Sequence, residues 1–329
     1  MEQPTAARSA DRRHGESAAE LAWRVVLAAA RTAASAAQSG HAAAYATSDD
    51  NELRQVAPAD PDAVLAWRPD LGWEPLLPAD DARRALLDLY LPICSAATSR
   101  PTTIAHLGQS LDGFIATHTG ESQWITGEEN ILHLHRLRAL CDAVVVGAGT
   151  VAADDPQLTT RLVPGSNPLR VILDPMRRLG DHYRVFQDDA AETLYVCGRS
   201  CKRSDERRFG RALVVDIADT PDGPDVAELV ALLRQKGRSR ILVEGGGVTV
   251  SMFFEANLLD RLHLAVAPLF IGDGRPAIRL SPRALDECPR PQYRVFRMGA
   301  DVLFDFDLRS SAERAGGPLD SSPAVTRVI

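Results

Sequence analysis

The order of hydrophobic runs predicts a mixed α/β fold for the larger part of this chain: a mostly parallel sheet flanked by helices, closed by antiparallel C-terminal strands. Three observations predict it. From about residue 102, short aliphatic runs alternate with helix-length segments, the order of βα units. Ala143–Val146 and Ile241–Val243 are continuous rather than alternating, as in strands buried on both faces. The last run, Asp301–Leu308, alternates apolar and polar residues, as in an antiparallel strand with one covered face.

The elements follow in order. Residues 1–16 are polar and mixed in charge, and are expected to form a disordered tail. Ser17 and Glu20 have the spacing of a capping box, so a helix over 17–38 is expected, with Leu21, Val25, Ala28 and Ala29 on one face. Residues 48–80 hold Pro58, Pro61, Pro69, Pro75 and Pro78 and read as loop with short structured pieces. Ala82–Tyr90 reads as a short helix stopping before Pro92. Trp23, Trp67 and Trp73 fall in this first segment and are expected to anchor it to the main domain. Residues 1–100 are thus an extension of undefined role, 101–310 the main domain, and 311–329 a disordered polar tail.

In the main domain, Thr103–Leu107 and Phe114–Ala116 are strand candidates around a turn at Asp112-Gly113. Thr126 and Glu129 have capping-box spacing, and Ile131, Leu134, Leu137 and Leu140 extend a helix behind them. Strands follow at Ala143–Val146, Val171–Leu173, Leu194–Val196, Leu213–Val215 and Ile241–Val243. Helices are expected at Val226–Lys236 and Thr249–Leu259, then strands at Leu262–Phe270, Tyr293–Phe296 and Asp301–Leu308.

Composition narrows the function classes. The 329 residues are 45% hydrophobic and 25% charged, values of a globular protein. A net charge of −7 argues against a general nucleic-acid binder, since a phosphate backbone rewards clustered cations. No apolar run is long enough to span a bilayer, no secretory signal opens the chain, and five scattered cysteines are not a disulfide scaffold. A cytoplasmic protein without membrane or nucleic-acid partners is expected.

Two glycine turns compete as ligand cradles. Gly147-Ala-Gly149-Thr-Val-Ala152 after a strand fits a dinucleotide fingerprint, with Asp174 as a ribose-binding acid. That fingerprint must open a full helix, however, and Pro156 stops any helix here after one or two turns. Gly245-Gly-Gly247 joins a strand to a full helix. It is read either as a phosphate cradle at a helix N-terminus or as a tight connection needing glycine for sterics. A metal centre is not expected. His14-Gly-Glu16 lacks the P-C-x-x-C of zinc deaminases, Cys197 and Cys201 are a single pair, and His133 and His135 diverge on a helix.

A third cluster carries a resemblance. Ser110-Leu-Asp-Gly113, Gly120–Thr126, Arg136-Leu-Arg138, Thr150–Leu158, Arg161, Arg170–Asp174, Leu242–Gly245 and Ala267-Pro268 occur in order. With them, residues 102–308 resemble the reductase domain of the bifunctional riboflavin-biosynthesis deaminase/reductase, which has a dihydrofolate-reductase-like fold. Nothing in residues 1–100 resembles the deaminase domain. The resemblance implies an NADPH-dependent reductase that converts the ribosyl group of 5-amino-6-(5-phosphoribosylamino)uracil to ribityl. It puts substrate contacts on Ser122, Arg138, Leu158, Arg161 and Glu244. Nucleotide contacts fall on Gly108, Trp124, Thr150, Asp154, Gly246, Gly247 and Thr249. It also implies a homodimer. Pro175 stands where the family often carries a small hydroxyl residue, a departure that bears on the nucleotide contacts.

The residue chemistry agrees with these roles. Guanidinium forks of Arg138 and Arg161 suit a dianionic phosphate. Glu244 suits pyrimidine N–H groups, and the turn before the last long helix suits a pyrophosphate. Asp154, or a water it holds, is the candidate acid for the ribose ring oxygen. Two other readings remain open: a related reductase acting on another pyrimidine, pterin or natural-product intermediate, and a non-catalytic binding protein of the same fold.

Overall fold

The computed structural model describes residues 17–309 except Asp49, Asn51, Thr98 and Asp222. The expected tails at 1–16 and 311–329 lie outside the described residues. The chain forms two compact units, residues 1–100 and 101–329.

In the first unit, helix α1 (Ala18–Ser39) starts at Ser17, whose hydroxyl accepts from the Glu20 amide while the Glu20 carboxylate accepts from the Ser17 amide. The capping box is therefore real, and α1 ends at Gly40 in the left-handed region (φ 68°). Its buried face runs through Trp23, Val26 and Ala29, while Leu21 is exposed. Residues 48–80 are more ordered than expected. Strands β1 (Ala43–Thr47), β2 (Leu53–Val56), β3 (Leu65–Arg68) and β4 (Gly72–Pro75) form an antiparallel sheet in the order β2-β1-β3-β4. Most of the prolines sit in the turns between strands, and strands of four residues are too short to show a period.

Helix α2 (Arg84–Cys94) runs through Pro92 instead of stopping before it. Pro92 forfeits one hydrogen bond in the last turn. Burial of Leu91, Ile93 and Cys94 holds that turn helical. The tryptophans expected to dock this segment build its own core. Trp73 packs edge-on against Trp67 and Tyr45, Trp23 packs against Tyr90, and the Trp73 indole donates to the Ala29 carbonyl (3.1 Å).

The second unit opens with β5 (Thr102–Ser110), β6 (Phe114–Thr117), α3 (Glu128–Leu140), β7 (Ala143–Gly147) and α4 (Ala148–Asp154). Then come β8 (Leu169–Leu173), α5 (Arg184–Gln187), β9 (Thr193–Gly198), β10 (Arg208–Phe209), β11 (Ala212–Ile217), β12 (Asp219–Thr220), β13 (Gly223–Pro224) and α6 (Val226–Gln235). The unit closes with β14 (Arg240–Glu244), α7 (Gly247–Glu255), β15 (Arg261–Ala267), β16 (Gly274–Pro276), β17 (Gln292–Met298) and β18 (Asp301–Asp307). The main sheet has ten strands in the order β10-β11-β9-β8-β7-β14-β5-β15-β18-β17. It is parallel from β11 to β15 and antiparallel at both ends, the mixed architecture the sequence predicts.

Leu229 and Leu233 of α6 and Val250 and Phe253 of α7 pack on Val145, Val171, Ile241 and Val243 of the sheet. Each such burial is worth about 1.5–3 kcal/mol, so the central strands are the rigid base of the unit. No described helix is long and apolar enough to cross a membrane.

Helix α3 corrects one detail. Thr126 and Glu129 do not form a capping box; the N-cap is Gly127, without a side-chain cap bond. The Gly127 amide instead donates to Asp301 Oδ2 (2.7 Å), from the start of β18. Thr126 Oγ1 is occupied by the Asn130 amide (2.9 Å). Helix α7 also starts earlier and ends earlier than expected, because its first turn is built from the glycines and Asn257 adopts φ 53° just beyond its end.

Candidate active site

The carboxyl ends of β5, β7, β8 and β14 open into a cavity of about 1300 Å³. Ligands of open α/β sheets bind at this edge, where loops leave the strands. The cavity exceeds the usual 300–1000 Å³ of a site for one drug-sized ligand and has room for two.

Its floor is built across the sheet. Glu244 ends β14, and the strand register sets it beside His106 of β5. His106 pairs in turn with His263 of β15, and His263 with Asp305 of β18. One buried polar row therefore crosses four strands, with α3 packed against it. Arg138 of α3 donates from Nε to Glu244 Oε2 (2.8 Å) and from Nη2 to Oε1, a bidentate pair almost closed to solvent. Asn130 of α3 meets the His106 ring (3.0 Å), and His133 of α3 meets His263 Nδ1 (3.0 Å). His263 Nε2 lies 3.2 Å from Asp305 Oδ1, and Arg261 and Arg294 also clamp Asp305.

Burial dominates the electrostatics of the three histidines here. It drives the His106 pKa down to about 4, although the Asn130 bond pulls the other way. Burial also lowers His133 and His263. Asp305 sits well below the usual carboxylate range, because His263, Arg261 and Arg294 outweigh its own burial.

The rim comes from the loops. Ser122 donates to Asp154 Oδ1 (3.0 Å), tying the Gly120–Thr126 loop to the end of α4. Gly245 and Gly246 have φ of 74° and 47°, which turn the chain from β14 into α7. A Cβ on Gly247 would overlap the Ala277 carbonyl oxygen. A Cβ on Gly245 or Gly246 would crowd Thr150 at about 3 Å. The α7 N-terminus has no side-chain cap, and its first residues line the cavity. The sterics of this turn therefore require glycine, and no side chain caps the α7 N-terminus where it meets the cavity.

The competing fingerprint resolves as its proline requires. Helix α4 has seven residues and ends at Asp155 (φ 39°), just before Pro156. Gly147 serves packing instead, since a Cβ there would overlap the Thr249 hydroxyl.

Among the residues chosen from sequence, Gly108, Ser122, Arg138, Thr150, Asp154, Glu244, Gly246, Gly247 and Thr249 all line the cavity. Trp124 does not. It is 76% exposed, holds φ 68°, and lines an adjoining hollow of about 750 Å³ with Ser122, Asp154 and Phe270. Leu158 is fully buried at φ 55° and Arg161 is exposed; neither lines the cavity. The two arginines nonetheless converge on Thr159. Arg138 Nη1 donates to its carbonyl (3.2 Å) and Arg161 Nη1 to its hydroxyl (2.6 Å). Although the residue is exposed overall, loss of part of the hydration of its guanidinium, then the Arg138 charge, lowers the Arg161 pKa.

Sequence reasoning missed His106, Asn130 and Arg275, which also line the cavity. Arg275 has no ion pair among the described residues, and a Cβ on Gly120 would stand 3.1 Å from its guanidinium. The available signal for His106 was a histidine inside an otherwise apolar strand run. Among the described residues, no group of three His, Cys, Asp or Glu side chains is placed to hold a metal ion.

A nicotinamide dinucleotide fits these residues: a glycine turn that brings backbone to the cavity edge, an α7 N-terminus without a side-chain cap, and a cavity with room for a second ligand.

Comparison with known proteins matches residues 101–286 to the RibD C-terminal domain. The 2,5-diamino-6-ribosylamino-4(3H)-pyrimidinone 5′-phosphate reductase of Methanothermobacter thermautotrophicus is 33% identical over 217 residues, 64% of this chain and 99% of that protein. The riboflavin biosynthesis protein RibD of Aquifex aeolicus is 30% identical over 229 residues, 69% of this chain but 62% of that protein. The crystal structure of the deaminase/5-amino-6-(5-phosphoribosylamino)uracil reductase of Thermotoga maritima superposes with a TM-score of 0.54 at 26% identity. That match covers 68% of this chain and 60% of the other. The chain thus spans nearly all of the archaeal reductase and about three fifths of the other two proteins.

Proposed function

Because the chain belongs to the RibD C-terminal domain family, we propose that it is an NADPH-dependent reductase of a phosphoribosylaminopyrimidine, turning the ribosyl group into ribityl. The observation that carries this reading is the cavity itself. A buried Arg138–Glu244 pair lies on its floor, and an uncapped helix N-terminus behind three glycines forms its rim. When bound, the nicotinamide supplies a hydride to C1′ of the ribosyl group.

The chain's residues do the rest. Glu244, fixed by the Arg138 fork, keeps lone pairs for N–H groups of the pyrimidine. The pair of guanidinium groups around Thr159 carries one more positive charge than Glu244 neutralises, which supports a role for Arg161, with Arg138, in holding the 5′-phosphate. Gly246, Gly247 and Thr249 receive the dinucleotide phosphates, with Thr150 and Gly108 beside them. Leu158 contributes through its backbone as it turns toward Arg161. Asp154, oriented by Ser122, moves a proton to the ribose ring oxygen directly or through a water. Trp124, on its exposed loop, offers its ring to the nucleotide from the adjoining hollow that shares Ser122 and Asp154 with the cavity.

The substrate named first by the sequence resemblance is 5-amino-6-(5-phosphoribosylamino)uracil. The archaeal relative's name favours the 2,5-diamino pyrimidinone 5′-phosphate as a second reading. A homodimer is supported by the clustered rings of Tyr293, Phe304 and Phe306 on the outer strands, with Tyr293 60% exposed. The functional test is NADPH oxidation with both pyrimidines, each with and without its 5′-phosphate. Oxidation with a phosphorylated pyrimidine and little with its dephosphorylated form is expected. Oxidation with neither pyrimidine, in a protein that binds NADPH, would refute the reading.

A further inference from the structure

His106 has no role in the chemistry described so far, yet it is a buried titratable side chain in the cavity wall, 4% exposed. Its hydrogen bonds decide what it offers. Asn130 Nδ2 donates to Thr126 Oγ1 (2.9 Å), so Asn130 turns Oδ1 toward His106. An amide oxygen only accepts; the 3.0 Å contact therefore requires the hydrogen on His106 Nε2. In the neutral ring Nδ1 then carries a bare lone pair. Nδ1 has no protein partner among the described residues and is not among the polar atoms sealed in the core. The neutral ring is the expected form, because burial disfavours the imidazolium by more than the Asn130 bond and the Glu244 carboxylate favour it, with His263 and Arg138 acting on the side of burial.

The strand register sets His106 directly beside Glu244. Two acceptors, a carboxylate with spare lone pairs and an imidazole nitrogen, therefore stand side by side on the cavity floor. Phosphate groups, which are acceptors, do not match this pattern. An amino group next to a ring N–H does, and an aminopyrimidine presents that edge.

We propose that His106 is a substrate-binding residue, locked by the Thr126–Asn130 chain as the Nε2–H tautomer, whose Nδ1 accepts a hydrogen bond from an N–H of the pyrimidine bound beside Glu244. The pyrimidine in this statement rests on the function proposed above; the tautomer does not.

The test has two arms. The first is ¹H–¹⁵N correlation of the histidine rings in the unliganded, unmodified protein, then with a phosphoribosylaminopyrimidine added. His106 should show a protonated Nε2 and a bare Nδ1, and Nδ1 should shift toward the hydrogen-bonded range on addition. A protonated Nδ1 in the unliganded protein would overturn the proposal without touching the functional reading. So would an Nδ1 resonance that does not move at substrate concentrations that saturate turnover. The second arm is steady-state kinetics of His106→Phe and His106→Gln. Loss of one neutral hydrogen bond should raise the substrate KM about two- to tenfold, with NADPH affinity changed less than about twofold. An unchanged substrate KM in a folded His106→Phe protein would also overturn it. If no pyrimidine is turned over while the tautomer is as stated, the functional reading fails and takes the pyrimidine assignment with it.

Discussion

Replacing Arg138 by alanine should damage the fold as well as the site. Arg138 and Glu244 are 106 positions apart, each 10% exposed or less, and joined by two parallel bonds. Removing the guanidinium leaves a buried carboxylate with no cation, and breaking such a pair typically costs about 3–5 kcal/mol. Arg161→Ala removes an exposed group that makes one bond to a neighbouring hydroxyl, so its stability cost should stay below about 1 kcal/mol. If Arg161 holds the phosphate, its loss removes charge-assisted bonds worth about 1.5–3 kcal/mol and raises substrate KM about ten- to a hundredfold. The assay is hydrogen exchange of the β14 and α3 amides, which reads the second unit alone, together with steady-state kinetics. Arg138→Ala should lower protection in both elements by the stated amount. The double variant Arg138→Leu/Glu244→Leu should recover most of that protection while remaining inactive, because an apolar pair leaves no orphaned charge. Protection within about 1 kcal/mol of the parent in Arg138→Ala, or no recovery in the double variant, would refute the reasoning.

Other consequences can be measured directly. The folded protein holds His106 neutral down to about pH 4, while the unfolded chain protonates it near 6.5, so the unfolded state binds the extra proton between those values and stability falls as pH falls. By pH 5 His106 alone should cost about 2 kcal/mol, with His133 and His263 adding in the same direction; denaturant titrations at pH 7 and 5 with equal midpoints would contradict this. Gly247→Ala should abolish NADPH binding or folding, because its methyl meets a backbone carbonyl that cannot rotate away; dye-free binding titration checks it. Asp301→Ala should destabilise α3 by about 1 kcal/mol or more, since it removes the acceptor for the Gly127 amide, and Thr126→Ala should cost less at the helix start; equal effects in thermal unfolding would restore the capping box.

What the sequence revealed and what it concealed follow from the range of the interactions involved. The parallel sheet was legible because β7, β8, β9 and β14 are aliphatic runs whose burial is set locally by composition. Pro156 correctly excluded a dinucleotide fingerprint at Gly147, again a local effect. The strands over 53–75 were hidden because each is only four residues long and proline-flanked. The start of α3 was misread because its acceptor, Asp301, lies 174 positions away. At the site, the glycine turn and Ser122, Asp154 and Glu244 were visible as motif residues. The Arg138–Glu244 pair and the row Asp305–His263–His106–Glu244 were not, because only strand register and helix packing bring those residues together. Leu158 and Arg161 were chosen by resemblance, and the chain folds them beside the cavity wall rather than into it.

Transfer of an isotopic label tests the central claim most directly. With NADPH deuterated at the transferred C4 position and a phosphoribosylaminopyrimidine as co-substrate, the product should be a ribityl compound carrying one deuterium, located at C1′ by NMR. NADPH oxidation without deuterium at C1′, or an unreduced ribosyl group after the cofactor is consumed, would contradict the account.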